Sequence, residues 1–137
     1  MQTTVEHVPG NPPVTVLGLE GELDASNFEG LIGEARRLYE GGSRRLLLDL
    51  RGLSYMSSSG LVALHSIALI YRGEEPPDPE AGWGAFHSLG LDVASGGKVG
   101  EVKLVGPQAP VDRVLERTGL KQFFEVHPDR ETGVGSF

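Results

Sequence analysis

Two stretches of this chain are apolar all round rather than on one face. Residues 46–50 read Leu-Leu-Leu-Asp-Leu, and residues 58–71 read Ser-Ser-Gly-Leu-Val-Ala-Leu-His-Ser-Ile-Ala-Leu-Ile-Tyr. A strand-length run with almost no polar alternation suits a central strand covered on both faces. A helix-length run without a polar face suits a helix packed on more than one side. A chain that must bury both needs further elements around them. Its 137 residues are a one-domain length, enough to bury roughly two thirds of the surface the unfolded chain exposes.

The surrounding sequence supplies those elements. Thr3–Val8 reads as a short edge strand, and Gly10-Asn11-Pro12-Pro13 as a turn. Val14–Leu19 alternates and is β-branched, which predicts a strand that Gly21-Glu22-Leu23-Asp24 leaves. Ser26 with Glu29 has the capping-box spacing. Phe28, Leu31, Ile32, Ala35, Leu38 and Tyr39 then form one helical face, which Gly41-Gly42 stops. Val99–Val105 is strand-like, and Pro107–Thr118 reads as a helix with Val111, Val114, Leu115 and Thr118 inside and Pro110 in its first turn. Gly119-Leu120 is a Schellman-type stop, Phe123–Val126 is expected at a sheet edge, and the tail from His127 is expected to fray. The order β β α β α β α, with a final strand, predicts a two-layer α/β domain: a small mixed β-sheet with helices packed on one face. The whole chain, 1–137, is expected to be one domain.

The stretch from about 73 to 97 breaks this rhythm. Glu74-Glu75-Pro76-Pro77-Asp78-Pro79-Glu80 is acidic and proline-rich and cannot continue a helix. It is expected to be the most mobile part of the fold, with Trp83, Phe86, Leu89 and Leu91 docking back on the body.

Composition narrows the chemistry. There is no cysteine, so neither a disulfide framework nor thiolate chemistry arises, which fits a reducing cytoplasm. Residues 1–6 lack the basic-then-apolar pattern of a secretory signal, and no apolar run approaches the ~20 residues of a membrane span. The net charge of -7 argues against direct nucleic-acid binding; the basic doublets Arg36-Arg37 and Arg44-Arg45 read as a solvated helix face and a strand lead-in. No metal-ligand spacing is present, and Gly96-Gly97-Lys98 lacks the spacing of a phosphate-binding loop. A serine hydrolase would need a base beside its nucleophile. His65 lies about two helical turns beyond Ser58, roughly 10 Å away, and reads as a core histidine. Glu20, Glu22 and Asp24 read as a solvated loop with a helix-capping carboxylate. No enzyme activity, cofactor or metal is expected.

Ser57, Ser58 and Ser59 stand at the start of the apolar helix. One serine suffices for an N-cap, worth typically ~1 kcal/mol. A helix N-terminus also accommodates a phosphate on its free N–H groups, so a serine there can be modified without breaking the fold.

The stretch Asp49-Leu50-Arg51-Gly52-Leu53-Ser54-Tyr55-Met56-Ser57-Ser58-Ser59-Gly60-Leu61 resembles the central motif of STAS-domain anti-sigma factor antagonists, D-S-S-G-L or D-S-T-G-L. Gly21-Glu22-Leu23-Asp24 is similar to the family's G-E-L-D, and Leu104-Val105-Gly106-Pro107 with "VDRVLERTGLKQFF" to its closing helix. The resemblance implies a cytoplasmic bacterial regulator of transcription, not an enzyme. It would bind an anti-sigma factor that is also a serine kinase, act by partner switching, and be reset by a PP2C-type phosphatase. It implies no membrane contact and allows a homodimer. Carried over by position, Ser58 is the phosphorylated residue, with Ser57 and Ser59 as competing acceptors, and Asp24, Ser57, Ser58, Ser59 and Gly60 form the partner-binding set. The motif's aspartate is Ser57 here, so that place carries no charge, and residues 73–97 form an insertion relative to the family. The resemblance also leaves room for a non-switching STAS scaffold subunit or a small-molecule- or lipid-binding STAS domain.

Overall fold

A computed structural model describes residues 1–76, 89–91 and 98–137. β1 (Gln2–Val8) and β2 (Val14–Leu23) pair antiparallel; β2, β3 (Leu46–Met56), β4 (Val99–Val105) and β5 (Phe124–His127) follow in parallel, giving one five-stranded sheet in the order β1-β2-β3-β4-β5. The helices α1 (Phe28–Glu40), α2 (Ser58–Tyr71), α3 (Ala109–Thr118) and the single turn α4 (Leu120–Phe123) connect these strands. Their inner faces share one core with Leu17, Leu19, Leu46, Leu48 and Leu50. This is the mixed two-layer sheet expected of strands joined through helices.

Local sequence explains the ends of α1 and α2. After each, a glycine takes a left-handed backbone, Gly42 at φ 114° and Gly73 at φ 79°. The next amide then reaches back five residues, Ser43 N to Leu38 O at 3.0 Å and Glu74 N to Leu69 O at 2.9 Å. Both are Schellman closures, which satisfy carbonyls the helix leaves open.

Three expectations change. First, β2 runs on to Leu23 and β3 to Met56. Register shifts between Gly18 and Glu20 and between Gly21 and Glu22 let the two strands stay paired through their glycines and polar residues. Second, the Ser26/Glu29 capping box does not form. Helix α1 starts one residue later, with Asn27 as N-cap, because Ser26 gives its hydroxyl and amide to the stronger, charged acceptor Asp24. Third, the tail does not fray. Asp129 accepts from Thr132 N at 2.8 Å and starts α5 (Arg130–Gly135). Val134 and Phe137 cover Val14, Val16, Leu47 and Val105 on the sheet face opposite the main helical layer. The nearly unbroken apolar run of β3 thus has both its faces covered.

The expectation for residues 73–97 falls mostly outside the described residues, and Trp83 and Phe86 with it. Of its docking residues that are described, Leu89 is buried in the core, whereas Leu91 is exposed.

Asp49 and Arg51 brace the middle of β3. The Asp49 carboxylate accepts from Arg51 Nε at 2.9 Å and Nη2 at 2.7 Å, and from the Arg51 amide at 3.1 Å. The side-chain bond to Arg51, above all, holds the Asp49 carboxyl below its ordinary 3.8. A carboxyl lowered in the fold contributes stability that is present in full above 3.8 and is lost as pH falls through the lower folded value. Asp49→Asn is therefore expected to flatten the acid limb of stability. Urea midpoints at about pH 6 and about pH 2 measure this; an equal fall in both proteins would refute it.

Candidate functional site

The parallel strands β2 and β3 end side by side, with Leu23 paired to Met56. The chain leaves β2 into Asp24 and leaves β3 into Ser57, whose amide donates to Leu23 O at 2.9 Å. Asp24 and the serine run are therefore presented at the same end of the sheet, although 34 residues separate Asp24 from Ser58 in the sequence.

The Asp24 turn is knitted by side chains. Asp24 Oδ1 accepts from Ser26 Oγ at 2.5 Å and from Ser26 N at 2.9 Å. Asp24 N donates to Asn27 Oδ1 at 3.0 Å, and Asn27 Nδ2 donates to Glu22 O at 2.9 Å. The bonds from Ser26, side chain first, hold the Asp24 carboxyl below 3.8, so the turn carries a fixed negative charge near neutral pH. Asn27 escaped the sequence reading; its signal was an N-cap residue type immediately before the helical face.

The three serines differ. Ser57 is the N-cap residue of α2, with extended backbone, but its hydroxyl caps no first-turn amide. Ser57 Oγ is instead buried with no hydrogen-bond partner among the described residues. The expected side-chain cap is thus absent, and only the backbone part of the cap is made: Gly60 N and Leu61 N donate to Ser57 O at 3.0 and 3.4 Å. Ser58 is exposed on the first turn and Ser59 is half-buried beside it. The amides of Ser58 and Ser59 belong to the first turn, where a helix offers no acceptor of its own.

Gly60 is buried. A Cβ there would run into Met56 Cγ and come within 3.1 Å of Leu23 Cδ2 and Cγ. Leu23 and Met56 are themselves buried in the core, so neither has room to yield. Gly60 is therefore a packing residue that lets α2 close on the strand ends. Gly60→Ala gains at most ~1 kcal/mol of helix propensity against roughly 1–3 kcal/mol of overpacking. A net loss of stability is expected in chemical denaturation; an unchanged or raised midpoint would show that the seam can open.

His65 is buried and packs against Phe123, ring centroids 5.9 Å apart, while Ser58 faces outward. Among the described residues no cluster of three or more His, Cys, Asp or Glu could hold a metal ion, and no helix is long and apolar enough to cross a membrane.

An open mixed sheet with one main helical layer, with an exposed serine on a helix N-terminus at one end of its strands, defines an α/β module that presents this serine at its surface. Residues 5–72 match the STAS domain model. It is 26% identical, over 100% of its length and 95% of the other's, to a Bordetella bronchiseptica protein that bears the name anti-sigma factor antagonist BtrV. The fold is shared with an anti-sigma factor antagonist from Mycobacterium paratuberculosis, at 18% identity and a TM-score of 0.65 over 98% of this chain and 93% of that one. It is also shared with the Bacillus cell fate determinant SpoIIAA solved in its phosphorylated form, at 20% identity and a TM-score of 0.56 over 98% and 97% of the two chains.

Proposed function

We propose that this chain, as a single STAS domain, is an anti-sigma factor antagonist that binds an anti-sigma factor with serine-kinase activity and is switched off by phosphorylation of Ser58. The observation that carries the reading is the contrast between the serines. Ser58 is exposed on the first turn of α2, where free amides and the helix dipole favour a phosphate, whereas Ser57 Oγ is buried and out of a kinase's reach. Asp24 lies at the adjoining strand end and supplies a constant charge. Tyr55, 47% exposed at the tip of β3, adds an aromatic side chain of the type that anchors protein interfaces. The partner-binding surface is then Asp24, Tyr55 and Ser57–Gly60, with Gly60 acting through packing. The domain itself performs no catalysis and takes no cofactor, and a PP2C-type phosphatase resets it. The relatives' names and the solved phosphorylated form of SpoIIAA support this reading.

Incubation with the cognate kinase and ATP, followed by mass spectrometry of the wild type and of Ser57→Ala, Ser58→Ala and Ser59→Ala, tests it. Label is expected in all but Ser58→Ala. Label that persists there and vanishes in Ser57→Ala would move the acceptor by one residue. No label on any serine would favour a non-switching scaffold.

A further inference from the structure

The basic doublets Arg36-Arg37 and Arg44-Arg45 have no part in that reading. The fold brings both to one end of the domain, because α1 ends at Glu40 and β3 begins at Leu46. Between the β1–β2 turn and the α1–β3 turn lies a cleft of about 800 Å³, within the range of small-molecule sites. Its apolar walls include Val8, Val14 and Leu38; its polar lining includes His7, Arg37, Arg44 and Arg45, and no Asp or Glu lines it. In a chain of net charge -7 this is a local reversal of sign. None of the three arginines forms an ion pair within the described residues.

The cleft is held in shape before any ligand arrives. Arg44 Nη1 donates to Tyr39 O at 2.6 Å and Ser43 O at 2.8 Å, and its guanidinium lies 4.0 Å over the Tyr39 ring. Arg45 Nη1 donates to Arg44 O at 3.1 Å. These bonds engage one nitrogen of each guanidinium and leave Nε and Nη2 for a ligand. Under them runs a chain of hydroxyls: Tyr71 OH donates to Ser43 Oγ at 2.9 Å, Ser43 Oγ donates to the buried Thr15 Oγ1 at 2.9 Å, and Thr15 Oγ1 lies 3.4 Å from His7 Nδ1. A guanidinium fixed in this way loses little freedom on binding an anion.

We infer that this cleft is a binding site for a small organic anion, its carboxylate or phosphate held by Arg44 and Arg45 and its apolar body laid along Val8, Val14 and Leu38. The site lies at the opposite end of β2 and β3 from Ser58, roughly 30 Å away by strand rise, and stands independently of the proposed switch.

Titration of the ¹⁵N-labelled full chain with decanoate and with decyl phosphate, each below its aggregation concentration, tests the site. Inorganic phosphate and decyltrimethylammonium serve as the head group alone and the reversed charge. Both anions are expected to shift the Gly41, Gly42 and Ser43 amides saturably, the tighter one naming the head group. Inorganic phosphate should bind at least about tenfold more weakly, and the cation should leave these amides unmoved. Arg45→Glu should weaken decanoate at least about tenfold, and Arg45→Lys less; Arg37→Glu, on an exposed helix position, is the second variant should Arg45→Glu fail to fold. No shift with either anion, equal binding of the cation, inorganic phosphate binding as tightly as decanoate, or full affinity in the charge-reversed variant would overturn the assignment.

Discussion

Ser58→Asp is expected to abolish capture of the anti-sigma factor while moving the melting temperature by no more than a few degrees. The two effects separate because Ser58 does nothing for the fold. Its side chain is exposed, and the N-cap position belongs to Ser57. A carboxylate in the first turn of α2 is favourable by roughly 0.3–1 kcal/mol. At the surface the new charge stands at the strand ends that already present Asp24, whose ionised form Ser26 stabilises. A partner that accommodates one negative charge and a neutral hydroxyl would there meet two charges. At the centre of an interface this costs roughly 2–5 kcal/mol, about thirtyfold to several thousandfold in affinity. Calorimetric titration of the cognate anti-sigma factor into the wild type, Ser58→Ala and Ser58→Asp, beside thermal melts of all three, reads both halves. Ser58→Ala should bind like the wild type. Equal affinity for Ser58→Asp would remove Ser58 from the interface, and a collapsed melt would make it a structural residue.

Leu47→Ala is expected to cost about 2–5 kcal/mol, the range for truncating a fully buried leucine, although Leu47 points away from the main helical layer. On a two-layer sheet with a frayed tail the same side chain would stand in solvent, and its truncation would cost little. Here α5 closes over it. Leu47 is 0% exposed, and a Cβ on Gly133 would lie 2.8 Å from Leu47 Cδ1. Lys103 secures this end of the chain: its Nζ donates to Ser136 O at 2.8 Å and to Ser136 Oγ at 3.1 Å, pairs with Glu125 at 3.2 Å and lies 4.5 Å over the Phe137 ring. Urea unfolding of Leu47→Ala beside Leu48→Ala, which faces the helices, gives the comparison. Similar losses support a closed tail. A Leu47→Ala loss under about 0.5 kcal/mol would mean that the tail is open in solution.

The candidate site divides in the same way between local pattern and fold. The first turn of α2 is visible in the serine run because the helix that follows is apolar on every side and can start only at that polar boundary. Nothing local tells Ser57 from Ser58. Which hydroxyl is buried depends on the Ser57 amide reaching Leu23 O, a bond across 34 residues of sequence. Asp24 is visible as the end of a strand motif, but its nearness to Ser58 requires the parallel pairing of Leu23 with Met56. Gly60 looks like a motif residue, and only the approach of Met56 and Leu23 shows that it is a packing one.

By itself, the sequence determined the elements whose cause is local. α2 follows from an unbroken apolar run, the ends of α1 and α2 from glycines that can take a left-handed turn, and the burial of β3 on both faces from Leu46-Leu47-Leu48. The tertiary structure alone decided what covers the second face of β3, how far β2 and β3 extend past their apolar residues, and that Arg37, Arg44 and Arg45 meet around one cleft. The tail has too few apolar residues to announce a helix, and Val134 and Phe137 acquire their role only when the pleat of β3 and β4 turns Leu47 and Val105 toward them. Contacts of that kind depend on strand register and on the path of the chain, which no short window of residues contains.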